Sequence, residues 1–255
     1  MTVSIITVVY NGADTLAEAI ESVLGQTYPH IDYIIVDGGS TDGTQAIVAQ
    51  YGTRISRFIS EPDNGLYDAM NKGVKLATGD VIGILNADDL YRHADVVSRV
   101  VATFNQQNAD AVYGDLMYAR REAPDQITRY WRAGNYKPGA FLRGWMPPHP
   151  TFFVKASVYQ RYGQFTTSLR SAADYELMLR FVHKHQIRVA YLSEVLVVMR
   201  LGGVSNSSLG NRLRANSEDR LAWQMNDIRP NWLTLWLKPL RKIAQFWQRR
   251  EPTVR

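Results

Sequence analysis

The chain has 255 residues, 45% hydrophobic and 21% charged, a balance that suits one soluble domain and excludes both disorder and a disulfide-built miniprotein. With no cysteine, thiolate catalysis, cysteine-type zinc sites and structural disulfides are excluded. The net charge of +5 is unevenly placed: residues 229–255 hold seven Lys or Arg against Glu251 alone, so the body is close to neutral and gives nucleic-acid binding no support.

Met1 leads straight into an alternating strand, and no apolar run reaches roughly 18 residues, so neither a signal peptide nor a spanning helix is expected. Val3 to Val9 (VSIITVV) reads as a buried strand, followed by Leu16, Ile20, Val23 and Leu24 at helical spacing before Gly25. A strand is predicted at Tyr33 to Val36, a helix near Gln45 to Tyr51, a strand near Ile55 to Ile59, a helix near Leu66 to Ala77 and a strand at Val81 to Leu85. Strands alternating with helices of about 10 to 15 residues imply right-handed βαβ units in a mostly parallel sheet flanked by helices. The second half is less regular: a helix at Asp95 to Asn105, strands at Ala111 to Gly114 and Ile127 to Tyr130, and a Pro/Gly/aromatic loop from Ala133 to Pro150. A helix at Tyr175 to His185 and strands at Val189 to Leu192 and Val195 to Met199 complete it.

In open α/β sheets ligands bind beyond the carboxyl ends of the strands. Here those ends lead into Tyr10-Asn11-Gly12, Asp37-Gly38-Gly39-Ser40, Glu61-Pro62-Asp63-Asn64-Gly65 and Asn86-Ala87-Asp88-Asp89, so polar and acidic residues gather along one edge. Adjacent carboxylates repel unless a cation or donors offset their charge, and hard divalent ions prefer oxygen ligands. Asn86-Ala87-Asp88-Asp89 reads either as a metal loop or as a solvated turn or helix cap ahead of Leu90-Tyr91. VDGGSTDGT permits close backbone approach and offers Asp37 to a ligand N–H, or Ser40, Thr41 and Asp42 cap the next helix. Glu61 and Asp63 line the site or shape the turn at Asn64-Gly65. No dinucleotide or P-loop fingerprint is present.

TVVYN, VDGGSTDGT, EPDNGLYDAMNKGVKLATGD, LNADD, PPHPTFF, AADYELMLR and VMRLGGVS occur in an order that resembles family 2 glycosyltransferases of GT-A fold, over about residues 1–205. The chain looks most like the bacterial branch that builds O-antigen, colanic acid and related polysaccharides. The resemblance implies that Tyr10 lies against the donor base and Asp37 pairs with it. The D-x-D element falls on Asn86, Ala87 and Asp88, extended by Asp89, so Asp88 and Asp89 would hold Mn²⁺ or Mg²⁺, while Asn86 departs from the usual acid. Asp174 becomes the catalytic base, and its plainer reading is an N-cap. Arg200 becomes a diphosphate clamp, since a guanidinium has no lone pair for a metal. His149 either touches diphosphate or acceptor, or is a packed loop histidine.

The resemblance also divides the chain into a catalytic domain over 1–205, with a nucleotide-binding half to about 115 and an acceptor-binding half from about 116, and a basic helical tail over 206–255. In the tail, Trp232, Trp236, Leu240, Ile243 and Trp247 recur at helical spacing among Lys and Arg, with Pro239 arguing for a kink. This stretch reads as an amphipathic segment on the inner membrane surface, or as a helix docked on protein. The expected activity is inverting transfer of a hexose from a UDP-linked donor to a lipid-diphosphate-linked saccharide. A sugar-nucleotide nucleotidyltransferase would need a basic residue in the opening loop, and TVVYNGADT has none. A non-catalytic carbohydrate- or membrane-binding module is the rival from another class.

Overall fold

A computed structural model of the chain describes residues 1–202, 209–230 and 234, with the side chains of 209–216 outside that description. The elements are β1 (Val3–Val9), α1 (Leu16–Leu24), β2 (Ile31–Asp37), α2 (Thr44–Ala49), β3 (Arg57–Ser60), α3 (Leu66–Leu76), β4 (Val81–Ile84), β5 (Asp89–Tyr91) and α4 (Val96–Gln107). They continue with β6 (Ala111–Arg120), β7 (Ala123–Trp131), β8 (Phe153–Lys155), α5 (Ala156–Tyr162), α6 (Ala173–Met178), β9 (Val189–Arg200) and α7 (Leu209–Met225). No helix among the described residues is long and apolar enough to cross a membrane.

One sheet runs in the order β3-β2-β1-β4-β8-β6-β9-β5, with β7 paired to β6. Every residue of β1 is buried, because a strand in the middle of a parallel block is covered on both faces. Alternation sorts its side chains. Ile6 and Val8 join Tyr67, Met70 and Val74 of α3 and the aromatic residues around α6. Val3, Ile5 and Val9 join Leu16, Ile20 and Val23 of α1 and Val97, Val100 and Phe104 of α4. The apolar period of each helix therefore buries one stripe against one sheet face.

The parallel block β3-β2-β1-β4 is as the sequence implies. The rest of the sheet corrects the mostly parallel expectation. β8 pairs antiparallel with both β4 and β6, β5 with β9, and β7 with β6, so the sheet is mixed. β8 and β5 have three residues each, too short to announce themselves by alternation. The two strands expected at 189–199 are one strand, β9, whose parallel pairing with β6 shifts register between Tyr113 and Leu116. α6 continues into a π-helical turn over Leu179–Lys184.

The tail lies mostly outside the described residues, Trp232, Trp236, Leu240, Ile243 and Trp247 included. Thr234 is described: it is buried, and its hydroxyl donates to the Leu142 carbonyl at 2.8 Å.

Candidate active site

β1 and β4 are neighbours, yet the chain leaves β1 toward β2 and β3 on one side and returns as β4 on the other. Such a reversal opens a crevice at the carboxyl ends of the two strands. Tyr10 stands there, 67% exposed, its ring free on the surface. Its loop is held firmly: Asn11 N–H donates to Ser40 Oγ at 2.7 Å, Thr41 N–H to Asn11 Oδ1 at 2.9 Å, and Gly12 N–H to Thr44 Oγ1 at 3.1 Å. Gly12 also lies against Ala87, so the loops after β1 and β4 touch.

The acidic loop after β4 carries a concentrated negative charge. Asp89 opens β5 and is fully buried; its Oδ2 accepts from Asn86 Nδ2 at 3.0 Å. Its Oδ1 and the Asn86 Oδ1 have no hydrogen-bond partner among the described residues. Asp88 is partly exposed, with Arg121 Nη1 at 4.0 Å. Burial pushes the Asp88 carboxyl above the usual carboxylate range. Burial, and then the charge of Asp88, push Asp89 well above it, while Asn86 and Arg200 act the other way. Arg200 is itself buried, paired through Nη2 with Glu18, and its Nε and Nη1 lack partners among the described residues.

Buried acceptors without donors are uncommon and call for an explanation. Two carboxylates and an amide oxygen form a hard-oxygen set that a divalent cation satisfies, so the residues present fit such an ion. Among the described residues no cluster of three or more His, Asp or Glu is placed to hold a metal. The protein would therefore supply a partial shell, with the remaining positions left to a ligand. The orphaned N–H groups of Arg200 suit an anion at the same place.

Asp37 departs from its expected role. It has no exposed surface; its carboxylate accepts from the Ser40 N–H at 3.1 Å, the Ser40 hydroxyl and the Ser60 hydroxyl at 2.6 Å. It fixes the loop after β2 to the end of β3 and cannot meet a nucleobase without displacing a serine.

Asp174 lies in the first turn of α6, where its Oδ1 accepts from the Tyr67 hydroxyl at 3.2 Å. Burial and the Asp174 charge raise the Tyr67 hydroxyl well above its usual value, so it stays a donor. Asp174 is not the cap of its helix. No side-chain cap is found among the described residues; Glu218 of α7 instead holds the segment before the helix, accepting the N–H groups of Arg170, Ser171 and Ala172 at 3.3, 2.7 and 3.1 Å. His149 packs edge-on against Phe165 at 5.7 Å, and Phe165 stacks on Tyr67 at 5.7 Å. Burial lowers the His149 pKa although Asp174 opposes it, which makes His149 a neutral neighbour of Asp174 and not a standing cation for a diphosphate. Trp145 is core, its Nε1 donating to the Ala133 carbonyl at 2.7 Å.

Sequence reasoning missed Tyr67, Arg121 and Glu218. Tyr67 sits on the apolar stripe of α3, where periodicity marks it as core. Arg121 belongs to a hairpin longer than its alternation predicts, and Glu218 to a polar helix with no apolar signature.

The profile described as "Glycosyl transferase family 2" matches residues 4–165. A PGL/p-HBAD biosynthesis glycosyltransferase of Mycobacterium bovis is 29% identical over 80% of this chain and 79% of its own. An uncharacterized glycosyltransferase of Mycobacterium tuberculosis is 32% identical over 70% and 68%. Among solved structures, S. aureus TarS 1-349 in complex with UDP-GlcNAc superposes with a TM-score of 0.68 at 17% identity, over 89% of this chain and 65% of that one. The mannosyltransferase PcManGT from Pyrobaculum calidifontis, in complex with GDP-Man and Mn²⁺, gives 0.67 at 19%, over 95% and 73%. The fold is the GT-A type shared by these enzymes, and the chain belongs to glycosyl transferase family 2.

Proposed function

We propose that this protein transfers a hexose, with inversion, from a UDP-linked donor to a hydroxyl of a lipid-diphosphate-linked saccharide, building a bacterial surface polysaccharide. The observation that carries the reading is the orphaned acidic pair. Asp89 Oδ1 and Asn86 Oδ1, buried acceptors lacking donors among the described residues, sit with the partly exposed Asp88 where the loops after β1 and β4 meet, on the edge that carries the exposed ring of Tyr10. The structural neighbours bind UDP-GlcNAc and GDP-Man, which supports a nucleoside diphosphate sugar here.

In this reading Tyr10 stacks on the donor base. Asp88 and Asp89 would hold Mn²⁺ or Mg²⁺, which as a Lewis acid supplies positive charge for the leaving diphosphate. The unpaired N–H groups of Arg200 offer that diphosphate two further donors, with Glu18 fixing the guanidinium. Asp174 takes the proton from the acceptor hydroxyl as it attacks the anomeric carbon, and Tyr67 fixes which carboxylate oxygen is free to do so. His149, neutral beside Asp174, lines the acceptor side. Residues 229–255, with seven basic side chains, favour an anionic membrane surface, which suits a lipid-linked acceptor.

The test is a screen for nucleoside diphosphate release, using UDP-sugars and a synthetic GlcNAc-diphosphate-lipid with and without EDTA. Metal-dependent, acceptor-dependent UDP release supports the reading. Absence of release with every donor, or release insensitive to EDTA, counts against it.

A further inference from the structure

With Asp37 sealed beneath its serines, the slot beside Tyr10 needs another group to read the edge of a base. The residue after Asp37 is Gly38, whose N–H continues the strand pairing by donating to the Val9 carbonyl at 2.9 Å. A Cβ on Gly38 would collide with Asp63 Oδ2, lie 3.2 Å from Asp63 Cγ and stand 3.4 Å from Tyr10 Cδ2. Asp63 Oδ2 therefore packs against the bare backbone of Gly38, in the space a side chain there would take, next to the flank of the exposed Tyr10 ring.

The carboxylate is held in place. Asp63 Oδ1 accepts the Gly65 N–H at 2.7 Å, which fixes its plane. The turn that carries it is tied to α3 by Lys72, whose Nζ donates to the Pro62 carbonyl at 2.9 Å and pairs with Glu61 at 2.8 Å. Oδ2 has no hydrogen-bond partner among the described residues, and Asp63 is only half-buried.

An ionised carboxylate accepts and does not donate. Set beside a stacking ring, it favours a planar ligand that presents a ring N–H on its edge, and it faces lone pair against lone pair with one that does not. Uracil and guanine present such an N–H. Cytosine and adenine present a ring nitrogen lone pair at the corresponding place. We propose that Asp63 Oδ2 is the base-reading acceptor of this enzyme and restricts its donor to nucleotides whose base carries a ring N–H. This rests on the reading that Tyr10 stacks on the donor base. It assigns specificity to a residue on the loop after β3 and removes it from Asp37.

The experiment is calorimetric titration of the full chain with UDP, GDP, CDP and ADP at saturating Mn²⁺, in wild type, Asp63→Asn and Gly38→Ala. Binding is the readout, so no acceptor is needed. Wild type is expected to bind UDP or GDP at least about ten-fold tighter than CDP and ADP, the scale of one hydrogen bond made or refused. Asp63→Asn keeps the shape but brings an amide that donates as well as accepts. It should weaken the preferred nucleotide about ten-fold and strengthen CDP, collapsing the ratio. Gly38→Ala, which pushes the carboxylate aside without removing it, should collapse the ratio in the same direction while melting within a few degrees of wild type. An unchanged UDP:CDP ratio in Asp63→Asn, with nucleotide binding intact, overturns the assignment alone. If wild type binds none of the four, the donor reading fails and the assignment falls with it.

Discussion

The hydroxyl of Tyr67 donates to Oδ1 of Asp174 across 107 positions of sequence, pinning the start of α6 to the start of α3. One oxygen of the carboxylate is thereby occupied, and in the proposed reading the other is left for an acceptor hydroxyl. Tyr67→Phe removes the donor and keeps the ring stacked on Phe165. A hydrogen bond to an ionised group is worth about 1.5–3 kcal/mol, so losing it frees the carboxylate to turn away from the acceptor, and kcat should fall about ten-fold. Asp174→Asn should cost two or more orders of magnitude, roughly the scale of general-base removal, with donor affinity unchanged. Steady-state kinetics with product analysis checks both.

The acidic pair makes a prediction of definite sign. Asp88 and Asp89 are pushed above the usual carboxylate range by burial, and Asp89 further by its neighbour. Protons are thus bound more tightly in the folded than in the unfolded state, and without metal the pair's contribution to stability falls as pH rises through the raised values. A divalent ion needs both groups ionised, so its affinity rises over the same interval. Melting measured with Mn²⁺ and with EDTA should show a gap that widens as pH rises above the usual carboxylate range, and Asp88→Asn or Asp89→Asn should close it. A gap that stays constant with pH, or survives both substitutions, would refute the assignment of the pair.

Much of this was legible from residues in order, and the exceptions have physical causes. The parallel block could be read because β1 and β2 are seven residues long and almost wholly buried, and its strands are separated by helices with clear apolar stripes. β5 and β8 escaped because three residues carry no period, although Tyr91 and Phe153, one on each, stack at 6.2 Å and lock them together. Asp88, Asp89 and Asp174 are candidates because a local motif singles them out. Their partners were missed where the contact is long-range: Arg121 with Asp88, Glu18 with Arg200, Glu218 with the residues before Asp174. Asp37 shows the converse, for its acidic type was legible but its burial under Ser40 and Ser60 depends on how two loops meet.

In the proposed reading the basic tail serves location and not chemistry. Beyond Thr234, which rests on the Leu142 carbonyl, the sequence still holds six basic residues against Glu251. Each basic side chain near an anionic surface is worth about 1 kcal/mol, and the tryptophans favour the headgroup region. Truncation after Thr234 should weaken sedimentation with anionic liposomes at low salt and slow transfer to a long-chain lipid acceptor, while a short soluble acceptor reacts as before. A fall in melting temperature with equal loss on both acceptors would instead mean that the tail docks on protein.

Glu218 bears on Asp174, the proposed base, across 44 positions of sequence. It gathers three successive N–H groups from 170–172, the segment that enters α6 two residues before Asp174. α7 is fastened to the same helix independently: Trp223 Nε1 donates to the Tyr175 hydroxyl at 3.0 Å and Asn226 Nδ2 to Glu176 Oε1 at 3.0 Å. Loss of Glu218 therefore loosens the entry to α6 without undocking α7. Three N–H groups would lose a charged acceptor, and because the segment is partly exposed water replaces some of it, leaving a cost of about 1–3 kcal/mol. Glu218→Ala should lower kcat about ten-fold while calorimetric affinity for the nucleotide, bound at the β1–β4 crevice, stays within about two-fold. Glu218→Gln retains an acceptor oxygen and should recover part of kcat. Equal losses in nucleotide affinity and kcat would mean that Glu218 supports the whole fold and not the placement of Asp174.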